Sequence, residues 1–254
     1  MSLDACAGLV ERGDPDRFRT LLAAPLEARK RLLPLYAFNL EVSRAPWLTE
    51  EAMIAEMRLQ WWRDVLEEIA SGGQVRRHEV ATPLSDVLDP EGARRLDALV
   101  AAHRWSCYRD PFEDEAAFTA HIAATGGGLM AVAARTLGAA DPAPAEEAGF
   151  AAGLAAWLLA VPELEERGRM PLPDGRPAAV AALARDGLAR LARARAAQSS
   201  LPKPARPALA PAWRAGTLLR RAAAFPARVA DGTLPESEAR KRWGLLVTGL
   251  TGRI

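Results

Sequence analysis

The sequence predicts an entirely helical protein, on three observations. Apolar residues recur at spacings of three and four through most of the chain, and the breaks in that pattern fall on Gly and Pro clusters. The composition is half apolar, only 6% aromatic and rich in Ala, Leu and Arg, with few β-branched runs of the kind that build strands. At 254 residues there is ample material for one buried core, and the chain reads as a single domain over 1–254.

Taken in order, residues 1–13 read as a tail. Asp14 then caps a short helix opened by Pro15 and carrying Phe18, Leu21 and Leu22. Pro25 starts a second helix that Pro46 closes and Pro34 is expected to kink. The third helix runs from Glu50 to Ala70 without Gly or Pro, with Thr49 as N-cap and Glu50 and Glu51 in the first turn. Ile54, Met57, Trp61, Val65 and Ile69 form its apolar stripe, widened by Trp62 and Leu66, so Trp61 is expected inside and Arg63 and Glu67 at the surface. Two adjacent indoles make this a central packing element, stopped by Gly72 and Gly73.

The segment from His78 to Pro90 reads as a loop with a short helical piece, and a helix follows from Glu91 to about Tyr108. The next spans Glu113 to Leu137 and contains Gly126, Gly127 and Gly128. Three glycines cost a helix roughly 2 to 3 kcal/mol relative to alanine, so either a neighbouring backbone approaches closely there or the helix bends. An apolar helix from Glu146 is expected to break at Pro162, and another spans Pro177 to Ser199. Residues 200–211 hold Pro202, Pro204, Pro207 and Pro211 and read as an extended connection. Helices over Trp213 to Ala230 and Pro235 to Thr251 complete about eight or nine. No repeat of fixed period is present.

Charge is uneven. Between Arg176 and Arg228, ten Arg and one Lys face the single acid Asp186, a net of +10 in a chain that nets +1. Such a block either holds an anionic membrane or acidic partner, or folds against the acidic remainder as a solvated face. No basic stretch interleaved with aromatics forms a nucleic-acid module, so no nucleic-acid partner is expected. Cys6 and Cys107 are far apart, and His78, His103 and His121 fit no local metal site. Phosphate loops, GxSxG elbows and HExxH are absent, as are a signal peptide and an evident membrane span.

Five segments occur in the order and rough spacing of one family: LYAFNLEVSRAP at 35–46, RLQWWRDVLEEI at 58–69, CYRDPF at 107–112, GGGLMAVAARTLG at 126–138 and RGRMPLPDG at 167–175. Over about residues 14–175 the chain resembles the squalene/phytoene synthases. The resemblance implies the all-α isoprenoid synthase fold, with helices around an apolar cavity, and places Tyr36, Phe38, Trp61, Gly127 and Trp157 in that cavity or the core. In the family, aspartates on facing helices hold the magnesium ions that grip a substrate diphosphate.

Laid onto this chain, the first aspartate motif falls on Ser43, Arg44 and Trp47, and the second on Ala156, Ala160 and Leu164. The first set now carries a cation, Arg44, and none of the second set can bind a metal. The wording YAFNLE with MRLQWWR is similar to the branch that includes an assembly factor of mitochondrial respiratory complex I. The resemblance therefore implies a non-catalytic protein without a metal or cofactor that binds an isoprenoid or lipid, with Arg44 and Arg169 as contacts to its anionic head, and that assists a respiratory complex subunit. The expected location is cytoplasmic, with peripheral contact at the inner membrane through 176–228. The alternative is an active, magnesium-dependent prenyl transferase that condenses isoprenyl diphosphates; a third reading is a scaffold whose cavity has filled with side chains.

Overall fold

The computed structural model describes residues 3–252 and 254, and among these there is no strand. Helix α1 (Leu3–Gly13) occupies the segment expected to be a tail. Cys6 and Val10, one turn apart, are fully buried against α3, and that burial outweighs the charged flanks that disguised the helix. Helix α2 (Pro15–Leu22) has the expected start: Asp14 accepts the Arg17 amide at 3.0 Å and Pro15 holds a first-turn position. Helix α3 (Leu26–Arg44) continues through the buried Pro34 and ends in a 3-10 turn, Ala45–Trp47.

Helix α4 (Ala52–Ala70) starts two residues later than expected, and its inward stripe is Ala55, Leu59, Trp62, Val65, Leu66 and Ile69. Trp61 is only partly buried, while Ile54 and Met57 are exposed. The stripe is thus turned by about one residue from the expected one. Trp62, 4% exposed, packs edge-on against Phe38 at 5.1 Å and His78 at 5.4 Å. Arg63 is partly exposed and donates to Asp97 at 2.7 Å, and Glu67 is exposed.

Short α5 (Ala81–Ser85) leads to α6 (Pro90–Ala102), capped by Asp89 and continued by a 3-10 segment over His103–Cys107. The glycine-bearing helix divides into α7 (Glu115–Ile122), a π-turn (Ala123–Gly127) and α8 (Gly128–Thr136). Helix α9 (Ala143–Glu166) runs unbroken through Pro162, because one lost hydrogen bond near its end is offset by packing on several sides. It is the hub, touched by α8, the π-turn, α10 (Pro177–Ala197), α11 (Ala215–Ala224) and α12 (Ala227–Ala230). Phe225 and Pro226 separate α11 from α12, which were expected as one helix.

The Pro-rich segment is not extended. Lys203–Arg214 forms a 3-10 helix that buries Ala205, Ala208, Leu209 and Ala212, whose spacing of three and four gives it an inward face. The φ that proline fixes, roughly −65°, lies within the 3-10 range, so the prolines do not prevent this conformation. The last helix, α13 (Glu238–Thr251), packs on it. Glu115–Thr136 and Ala143–Glu166 are long and apolar enough to cross a membrane, contrary to the expectation from sequence, but half of each apolar window is buried inside this bundle.

Candidate functional site

The expected metal-motif positions lie on α3 and its 3-10 extension and on α9. Ser43 turns its hydroxyl back to donate to the Leu40 carbonyl at 3.1 Å. Arg44 is exposed and makes no ion pair with a described residue. Ala156 is exposed, Ala160 partly so, and Leu164 is buried at 8%. Among the described residues no three His, Cys, Asp or Glu side chains converge to hold a metal. A hydroxyl spent on its own helix, an indole and three aliphatic groups do not fit a magnesium–diphosphate centre.

What converges instead is positive charge. Trp47 lies in a cleft of about 440 Å³ with Cys107, Arg109, Arg167 and Arg169, three cations against the single acid Glu50. The Arg167 and Arg169 guanidiniums stand 5.0 and 5.3 Å from the Trp47 ring centroid. Arg167 is also paired to Glu163 at 2.7 Å. Arg169 donates one Nη2 hydrogen bond to the Ser106 carbonyl at 2.8 Å, while its Nη1 is buried with no partner. Burial and then the nearby Arg109 lower the Arg169 pKa, and burial pushes the Cys107 thiol up to about 11. The Cys107 sulfur is therefore a neutral thiol rather than a counter-ion. Of the two arginines expected to contact an anion, only Arg169 reaches this cleft.

A second cleft, about 200 Å³, lies where α3, the π-turn, α9 and the 3-10 helix meet, and brings Tyr36 and Ala156 together. The Tyr36 hydroxyl is buried without a partner, and burial raises its pKa to about 12 although the Arg17 guanidinium sits 5.0 Å above the ring. Gly126 lines the same cleft at the crossing of the π-turn with α9.

The other expected cavity residues are dispersed. Phe38 is fully buried against Trp62, Gly127 lies against the Glu146 carbonyl, and Trp61 borders a separate groove with His78. Trp157 donates to the Pro171 carbonyl at 2.9 Å and joins an aromatic cluster with Trp105, Phe112, Phe118 and His121. Sequence reading missed Arg109 and Arg167 as members of the cationic cleft. The signal was present in the two short motifs CYRDPF and RGRMPLP, each of which carries Arg beside a turn.

The basic segment 176–228 is largely satisfied from within. Arg176 pairs with Asp174, Arg190 and Arg193 with Glu147, and Arg214 with Asp16 and Glu236. Arg195, Arg206 and Arg221 donate to backbone carbonyls.

Comparison with known proteins agrees with the all-helical fold. The fold is similar to that of a dehydrosqualene synthase solved with a ligand, with a TM-score of 0.77 over 96% of this chain and 94% of that one, at 15% identity. A Drosophila melanogaster protein described as an assembly factor 6 homolog of NADH dehydrogenase (ubiquinone) complex I is 33% identical over 94 residues, which are 36% of this chain and 28% of that protein. The family model for squalene/phytoene synthase matches residues 10–247. On that match, the helical architecture and the shared motifs, this chain belongs to the squalene/phytoene synthase family.

Proposed function

We propose that this protein has left metal-dependent prenyl transfer and binds the anionic head of an isoprenoid or lipid through arginine, in the service of respiratory complex I assembly. The observation that carries this reading is the Trp47 cleft, where a fully internal Arg169 Nη1 has no acceptor. An unmet buried donor on a charged group is costly, and an anion oxygen supplies the missing acceptor in the forked geometry that guanidinium favours. Arg109 and Arg167 add charge at the cleft rim, and the Trp47 face keeps the guanidiniums in place. The assembly role is carried by similarity to the Drosophila melanogaster protein over part of each chain.

Calorimetry with farnesyl diphosphate, with and without magnesium, tests the binding. The expected result is metal-independent affinity that falls about tenfold or more in Arg169→Ala, as for loss of a charge-assisted hydrogen bond, with Arg44→Ala silent. Turnover, or affinity that appears only with magnesium, would establish the prenyl transferase reading instead. For the assembly role, deletion in the source cell should lower assembled complex I on native gels without changing squalene or phytoene content.

A further inference from the structure

The last helix has an outward face that none of the described residues covers. Helix α13 docks through Lys241, Gly244, Leu245 and Thr248, which are buried or partly buried. Lys241 reaches Asp16 at 2.9 Å, and the chain beyond the helix is tied down where Gln198 donates to the Gly252 carbonyl at 2.7 Å and Arg195 to the Ile254 carbonyl at 2.6 Å. The opposite side carries Trp243, Leu246 and Val247, exposed by 67, 52 and 38%. Positions 243, 246 and 247 share one face at helical spacing, and Arg240 and Arg242 flank it on either side. Both arginines are exposed and neither pairs with an acid among the described residues. Ala23 packs against Gly249, which places the exposed Leu22 and Leu26 at the same end of the molecule.

We propose that this face of α13 seats the protein on an anionic lipid surface, with Trp243, Leu246 and Val247 in the interface and Arg240 and Arg242 against the headgroups. An indole at the centre of an apolar stripe, with unpaired arginines along both margins, is the arrangement that an amphipathic interfacial helix needs. Charge complementarity selects a membrane over a second copy of the chain, since two copies would oppose arginine to arginine across a twofold interface. The assignment moves membrane contact away from 176–228, whose cations are mostly satisfied internally, and it stands whether or not the Trp47 cleft holds a lipid.

The test is flotation of the full chain with neutral phosphatidylcholine vesicles and with vesicles carrying about 30 mol% phosphatidylglycerol, close to the charge of a PS-rich or PG-rich leaflet. Wild type should float with the anionic vesicles and remain behind with the neutral ones. Trp243→Ala with Leu246→Ala should reduce binding about tenfold or more, and Arg240→Glu with Arg242→Glu should abolish the preference for anionic lipid. Because all four side chains are exposed, circular dichroism and thermal midpoint should match wild type, which separates loss of binding from loss of fold. Failure of wild type to bind anionic vesicles, or binding unchanged in the Trp243 and Leu246 variant, overturns the proposal. So does a dimer in sedimentation that the same variant dissolves while no vesicle binding is seen. The flotation variants leave Arg169 in place and the calorimetry uses soluble farnesyl diphosphate without vesicles, so failure here and failure of binding at the Trp47 cleft are read separately.

Discussion

Gly126 in the π-turn and Gly149 in α9 meet backbone to backbone: a Cβ on Gly126 would stand 2.5 Å from the Gly149 carbonyl oxygen and 2.8 Å from the Gly153 Cα. No side-chain rotation relieves a clash with backbone, so the helices must separate or the π-turn must shift. Gly126→Ala is expected to destabilise by about 3 kcal/mol, at the upper end for overpacking. Urea denaturation measures it. Gly175, with open space around a built Cβ and no positive φ, is the control and should tolerate Ala.

The register of α4 separates two neighbouring indoles by environment. Trp62→Ala removes a side chain 4% exposed and packed on Phe38 and His78, and should cost about 3 to 5 kcal/mol. Trp61 is partly exposed, so Trp61→Ala should cost well under half of that. Equal midpoints in chemical denaturation would contradict the observed stripe.

Arg214 joins three separate stretches of chain. It donates to Glu236 at 2.8 Å and to Asp16 at 2.8 Å, and the Glu236 side chain is only 2% exposed. Arg214→Ala strands that carboxylate, and a loss of about 3 to 5 kcal/mol is expected. Replacing both ends, Arg214→Met with Glu236→Leu, should recover most of it, because the larger part of the penalty is the unpaired buried charge. Thermal melts of the single and double variants give the comparison.

Buried His121 makes stability depend on pH. It is 7% exposed, and burial lowers its pKa from 6.5 to about 4, against a weaker opposing effect of a hydrogen bond with the Ala102 backbone. Trp157, Phe112 and Trp105 surround the ring, and His103 lies 6.2 Å away between centroids. Between those two values the unfolded chain binds a proton that the folded protein does not. The contribution is therefore complete above pH 6.5 and is lost as pH falls toward 4. The slope from this group approaches about 1.4 kcal/mol per pH unit at most. Unfolding free energies at neutral pH and near pH 5 should differ less in His121→Phe than in wild type.

The helical class, the cap at Asp14 and the glycines that allow the close approach at Gly126 were determined by the sequence itself, because they depend on local backbone preference and on what glycine alone permits. The sequence alone also shows that the side chains of Trp47, Ala160 and Leu164 offer no oxygen to a metal in any fold. Tertiary structure decided the rest. Adjacent Trp61 and Trp62 allow two stripes on α4, and Phe38 and His78 choose between them. Burial of Cys6 and Val10 makes a helix of an apparent tail, and burial of four small or apolar residues winds the Pro-rich stretch into a 3-10 helix. The motif RGRMPLP pointed to Arg169, but its meeting with Trp47 and Arg109 joins segments far apart in the chain. Local energies fix what an element is; which of its faces turns inward, and which charges end up together, depends on partners that only the closed fold supplies.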